Sequence, residues 1–179
     1  MRKLCLGVVL LLAVTVPLAA QEQSCFDGAL GTWCQFIANA DFEGLGSWTY
    51  SLASRSTVTD PCWGGTTKAA VLAPNGYALQ TVNTTDYAEW AVEFDAFFSD
   101  SGGTTYDKVM VNVTNNTTGY SEGYAIYATQ YGTCAKQVYL PLAGSYANSS
   151  VTVRVKRYSG STMSSIAVDN VLLWGGPYN

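Results

Sequence analysis

Apolar residues recur at alternate positions along this chain, in short stretches separated by turn-forming residues. Val109, Val111 and Val113 alternate with polar neighbours across Lys108 to Thr114, and Val151, Val153 and Val155 repeat the pattern later. A period of two marks strands with one buried face. On Glu89 to Ser99, Trp90, Val92, Phe94 and Phe98 share the inward parity, while Glu93 and Asp95 share the outward one. Trp48, Tyr50 and Leu52 alternate against Thr49 and Ser51, and Trp48 and Trp90 are assigned to the core. Two short strands, Lys68 to Ala73 and Tyr77 to Val82, flank the turn Pro74-Asn75-Gly76. Tyr124 to Tyr131 and Gln137 to Leu142 complete the middle of the chain. Further turns are expected at Asp100-Ser101-Gly102-Gly103, Asn115-Asn116 and Ser159-Gly160. No stretch sustains a helical period. About ten short strands in this arrangement predict an all-β, two-layer antiparallel sandwich.

The last strand, Ser165 to Trp174, is apolar on both parities: Ile166, Val168, Leu172 and Trp174 on one, Ala167, Val171 and Leu173 on the other. Asp169 interrupts it, and a buried carboxylate needs a cation or several hydrogen bonds. At the opposite end of the chain stands Asn39-Ala40-Asp41-Phe42-Glu43. N-x-D-F-E early and I-x-V-D-N-V-x-L late resemble the jelly-roll modules that include many carbohydrate-binding modules and MAM-like domains. The resemblance covers Phe36 to Trp174, and the stretch Val138 to Tyr146 followed by the Val151 strand extends it. It implies a jelly-roll β-sandwich in which the two ends meet and hold a structural calcium. Asp169 and Glu43 would then be side-chain ligands, with backbone carbonyls near Asn39 and Asp41 completing an oxygen shell of about six to eight.

The N-terminus has a basic head, Arg2-Lys3, an apolar run from Leu4 to Val16, and small residues up to Ala20. This is the pattern of a secretory signal peptide, residues 1–20, and the run is short for a membrane span. The remainder, 21–179, divides into an N-terminal disulfide-containing segment, 21–35, and the sandwich domain, 36–179. Without Arg2 and Lys3, seven basic residues face thirteen acidic ones. A net charge near −6 with scattered cations argues against nucleic acid, although Arg154, Lys156 and Arg157 share one late strand.

Four cysteines follow the signal: Cys25, Cys34, Cys62 and Cys134. An even number in an exported chain predicts two disulfides with three possible pairings; Cys25–Cys34 and Cys62–Cys134 are favoured. The chain has no histidine, which removes Ser-His-Asp triads, Cys-His nucleophiles and histidine zinc sites. Glu93 and Asp95 are the carboxylate pair left for glycosidase chemistry, and a solvated strand face accounts for them better. The chain is therefore read as noncatalytic.

Aromatic rings stack on sugar faces, so Trp63, Tyr77, Tyr124 and Tyr127 are the candidate ligand contacts. A Cys62–Cys134 bridge is expected to bring the Trp63 loop beside the end of the tyrosine strand. Asn83, Asn112, Asn115, Asn116 and Asn148 head Asn-x-Ser/Thr triplets. The favoured function is a secreted, calcium-stabilised, glycan-binding β-sandwich. The alternative is a self-associating subunit of an extracellular filament, surface layer or matrix, assembled through sheet edges or through Gln21 to Gln35 by strand addition.

Overall fold

Every long element in the computed structural model is a β-strand, as the alternating pattern requires. The structure describes residues 24–28, 31–100 and 103–177; the expected signal peptide, its cleavage site and Ser101-Gly102 lie outside them. Along the chain come β1 (Ser24–Gly28), β2 (Gly31–Gln35), β3 (Thr49–Thr59), β4 (Thr66–Asn83) and β5 (Glu89–Phe98). After these come β6 (Lys108–Asn115), β7 (Ser121–Tyr127), a single turn α1 (Ala128–Tyr131), β8 (Cys134–Leu142), β9 (Ser150–Arg157) and β10 (Ile166–Gly176).

All strand pairs are antiparallel, and the curled sheet closes on itself as two layers. In the first layer β10 pairs along one edge with β5, which pairs with β8. The other edge of β10 is divided: Ile166–Val168 pair with β4, and Trp174–Gly175 pair with β2, which carries β1 beyond it. The second layer runs β4–β9–β6–β7, and β3 lies along both halves of β4. Between the layers pack Trp90, Val92, Phe94, Val168, Val171 and Leu173 from the first and the Val109 and Val151 triplets from the second. Trp48 and Trp90 are in this core, as expected. The segment after β2 fills the gap between β2 and β4: Phe36 N–H donates to Leu173 O and Val171 N–H to Ala40 O.

Three local expectations are corrected. Pro74-Asn75-Gly76 does not reverse the chain, because both halves of β4 pair with β3 in one direction. The three residues form a bend, with Asn75 at φ 63°, that carries β4 from one layer into the other. The stretch from Tyr124 is a strand only to Tyr127, after which α1 crosses from the second layer to the first. In β10 the parity changes within the strand. Asp169 pairs with Asp95 but Leu172 pairs with Glu93, so β10 has one extra residue, and Asn170 takes φ 49°. This bulge turns Val171 and Leu173 inward and Leu172 and Trp174 outward.

Candidate functional site

The outer face of the first layer carries the chain's most distinctive surface. Cys25 is paired with Cys34 and Phe26 with Trp33 across the β1–β2 hairpin, and the two cysteines form a disulfide. Directly opposed residues share a face, so the rings of Phe26 and Trp33 are presented together. Phe26 meets Trp174 of β10 edge to face, with centroids 5.4 Å apart. Trp174 Nε1 donates to Glu93 Oε2 at 3.1 Å. Glu93 is directly opposite Tyr139 of β8. These five side chains line a hollow of about 200 Å³. Gly176 makes room for it: a Cβ there would lie 2.5 Å from the Trp33 ring. Burial, and then the charges of Glu89 and Glu93, raise the Tyr139 hydroxyl above its ordinary proton affinity. Phe26 and Tyr139 are each about half exposed, so the groove has accessible ring faces beside one carboxylate and one phenol.

The second disulfide, Cys62–Cys134, holds the β3–β4 loop across the same layer at its other end. Cys62 packs there with Ala69, Phe97 and Ala167. Trp63 is 75% exposed; its ring lies under Lys136 Nζ at 4.6 Å, and that ammonium also pairs with Asp60 at 3.5 Å.

The other predicted ring contacts are elsewhere. Tyr77 is on the outer face of the second layer, opposite Lys156. Tyr127 is on that face too, opposite Lys108. Tyr124 turns towards β8, donating to Pro141 O at 2.6 Å. Because α1 separates β7 from Cys134, the bridge joins Trp63 to β8 and leaves the tyrosines of β7 in the other layer. Trp33, Phe26, Trp174 and Tyr139 were not singled out from the sequence. Cys25-Phe26 and Trp33-Cys34 hold a readable signal for two of them, since a 25–34 bridge within a hairpin sets the two rings opposite each other. Among the Asn-x-Ser/Thr positions, Asn115 is buried, and its amide donates to Ser145 O and Ser149 Oγ at 2.9 and 3.0 Å. It is thereby removed as a glycan acceptor.

Of the residues predicted to hold calcium, Asp169 is on β10, while Asn39, Asp41 and Glu43 are in the segment between β2 and β3. Asp169 is buried, with Oδ2 accepting from Thr67 Oγ1 at 2.8 Å and Oδ1 from Asn170 N–H at 2.8 Å. Burial raises its pKa to about 6; the two hydrogen bonds oppose this, and the charges of Asp95 and Asp41 add to it. Glu43 Oε1 accepts from Lys68 N–H at 2.9 Å, and Asp41 Oδ1 from Glu43 N–H at 3.1 Å. Asn39 exchanges hydrogen bonds with Gly44, and the Arg55 guanidinium donates to the carbonyls of Phe42 and Glu43. These side-chain acceptors are oxygens, the atom type a hard cation takes, and each accepts a hydrogen bond within the protein. Among the described residues no three Asp, Glu or Cys side chains are grouped closely enough to form a metal shell. Asp95, the partner of Glu93 in the predicted pair, is buried and accepts from Gln137 N–H and Asn170 Nδ2, both at 2.7 Å.

Comparison with solved structures finds the same fold at low identity. A Stig cyclase from Fischerella sp. TAU matches with a TM-score of 0.56 and 14% identity over 80% of this chain and 97% of that one. The enzymatically active domain of tailspike protein 4 of bacteriophage CBA120 matches with a TM-score of 0.53 and 17% identity, over 76% of this chain but 21% of that one. The cleaved adhesin domain of Lys-gingipain from Porphyromonas gingivalis w83 matches with a TM-score of 0.50 and 17% identity, over 80% and 99%. At such identities the likeness establishes the fold alone. No protein-family model and no curated protein matches the sequence.

Proposed function

We propose that this protein is a secreted, noncatalytic glycan-binding β-sandwich, with its ligand lying on the outer face of the first layer. The observation that carries this reading is the groove of Phe26, Trp33, Trp174 and Tyr139 around Glu93. Aromatic faces take the apolar faces of sugar rings, and a carboxylate and a phenol take their hydroxyls. Trp63 is an outlying contact on the same layer. Two disulfides suit an oxidising compartment, in keeping with export. The noncatalytic reading is supported by the splitting of the predicted carboxylate pair: Glu93 lines the groove, whereas Asp95 is buried and hydrogen-bonded through both oxygens. Calcium belongs to the proposal as a structural ion, held by Asp41, Glu43 and Asp169 with Asn39 beside them. It would clamp the start of the sandwich to its last strand.

The test is a polysaccharide screen read by tryptophan fluorescence. The expected result is a weak ligand bound without release of reducing sugar. Trp174→Ala and Trp33→Ala should each weaken it about tenfold or more, and Tyr124→Phe should leave it unchanged. Binding that ignores both tryptophan changes, or hydrolysis that Glu93→Gln abolishes, would refute the proposal. The self-associating subunit is favoured by one feature, the outer edge of β1, which among the described residues pairs with β2 on its other side only. Sedimentation at rising concentration distinguishes it, since a glycan-binding monomer keeps one mass throughout.

A further inference from the structure

The opposite side of the sandwich has different chemistry. Residues alternating with the buried valines of β6 and β9 point outward from the second layer, and three of them are Lys108, Arg154 and Lys156. Register puts Lys156 between Tyr77 and Met110, and Arg154 between Leu79 and Asn112. Lys108 lies opposite Tyr127, and its Nζ is 5.1 Å from the Tyr127 ring centre and 4.4 Å from that of Tyr158. Tyr158 stacks on Tyr106 with ring centres 6.0 Å apart, and the Arg154 guanidinium lies 6.0 Å from the Tyr77 ring centre. None of the three cations pairs with a carboxylate among the described residues. The strand positions on this face contain no Asp or Glu: around the cations they are Thr81, Thr152, Thr114, Ser121 and similar neutral residues. The nearest acid in sequence, Asp107, is buried on the other side and takes hydrogen bonds from Thr104, Ser161 and Thr162.

Nine cations accompany thirteen acids in the sequence, and two of the nine, Arg2 and Lys3, are in the expected signal peptide, so three unpaired cations on one acid-free face are a concentration of charge. From strand spacing and rise, Arg154, Lys156 and Lys108 run diagonally over about 14 Å. We propose that this face is a second binding surface, and that its ligand is an anionic polysaccharide carrying carboxylate or sulfate groups. The cations meet the charged groups, the intervening tyrosine rings meet the sugar faces, and the threonines meet the hydroxyls. A flat strand face suits an extended polymer. A duplex nucleic acid fits less well, because three cations neutralise few phosphates and the rest of the molecule repels them. An anionic bilayer fits less well because no large apolar side chain on these strands stands clear of the face.

This surface is independent of the aromatic groove, and the experiment separates the two. The whole protein is run by affinity electrophoresis, at low ionic strength, through gels containing polygalacturonate, dextran sulfate or neutral dextran. Retardation by at least one of the anionic polymers is expected, with none by neutral dextran and with loss of binding as salt rises. Lys108→Gln/Arg154→Gln/Lys156→Gln, checked for an unchanged melting temperature, should bind about tenfold more weakly, while Trp174→Ala should bind as the parent does. The single change Lys156→Gln gives an intermediate effect and serves if the triple variant folds poorly. The proposal is overturned if neither anionic polymer retards the parent, if the cation changes have no effect, or if duplex DNA or phosphatidylserine vesicles bind more tightly than both polymers.

Discussion

Asp107 and Asp169 are both buried carboxylates, and their surroundings drive them in opposite directions. For Asp107 burial alone would raise the pKa, but donors from Thr104, Ser161 and Thr162 win and hold it well below its ordinary 3.8. Its stabilising contribution is therefore complete above about pH 4 and disappears as pH falls through the lowered native value. Asp107→Ala leaves those donors unpaired, and a loss of about 3 kcal/mol or more is expected in urea denaturation at neutral pH. For Asp169 burial dominates and sets the native pKa at about 6, against 3.8 for the ordinary group. The folded state then holds this proton to higher pH than the unfolded chain. Its contribution is present in full below pH 4 and is lost as pH rises through about 6. A decline of order 1–3 kcal/mol over that interval is predicted, and Asp169→Asn should flatten it. Calcium bound by the ionised carboxylate should remove the decline and raise the melting temperature. If chelation changes neither quantity, calcium has no place in this protein.

At the scale of elements, β10 and the β1–β2 hairpin decide where the groove is. The extra residue in β10 sits at Asn170, whose φ of 49° is strained for a branched side chain and whose amide holds Asp95. Asn170→Val is expected to cost about 2–4 kcal/mol in stability, while Asn170→Gly should cost less because it keeps the backbone conformation. The hairpin pairs with β10 in backbone register at two residues, Gln35 and Cys34, and it supplies Phe26 and Trp33 to the groove. Opening Cys25–Cys34 by Cys25→Ser/Cys34→Ser should therefore weaken glycan binding, with a modest fall in melting temperature because Cys34 is buried in the core. Gly176→Ala should act on the same contact by displacing Trp33, and ligand titration of the two variants measures both effects.

For the whole molecule, the second disulfide and the two outer faces matter most. Cys62–Cys134 closes 72 residues between opposite edges of the first layer. The chain-entropy model assigns such a loop about 4 kcal/mol, so Cys62→Ala/Cys134→Ala should lower the denaturation midpoint far more than loss of Cys25–Cys34 does. The faces divide the chemistry: aromatic rings, Glu93 and the disulfide loop on the first layer, cations and tyrosines on the second. With both proposed surfaces occupied, the sandwich would hold two polymer chains on opposite sides, or bridge different regions of one.

The antiparallel sandwich and most of its core were legible in the alternation of residues such as Val109, Val111 and Val113, because a period of two leaves one way to bury them, whereas β1, β2 and the unbroken course of β4 were not. The two cysteine pairs were legible as the favoured arrangement of three. The absence of histidine excluded whole classes of chemistry before any coordinates. The groove was not legible, for two physical reasons. A bulge is invisible to a strict period of two, so Trp174 shares the sequence parity of the buried Ile166 and Val168, and only the extra residue at Asn170 turns it outward. The facing of Tyr139, Glu93, Trp174 and Trp33 arises from strands distant in sequence, and only their pairing order makes them neighbours. The same holds for the cationic face: Arg154 and Lys156 stand together in the sequence, but Lys108, Tyr77 and Tyr127 join them only because β4, β9, β6 and β7 lie side by side.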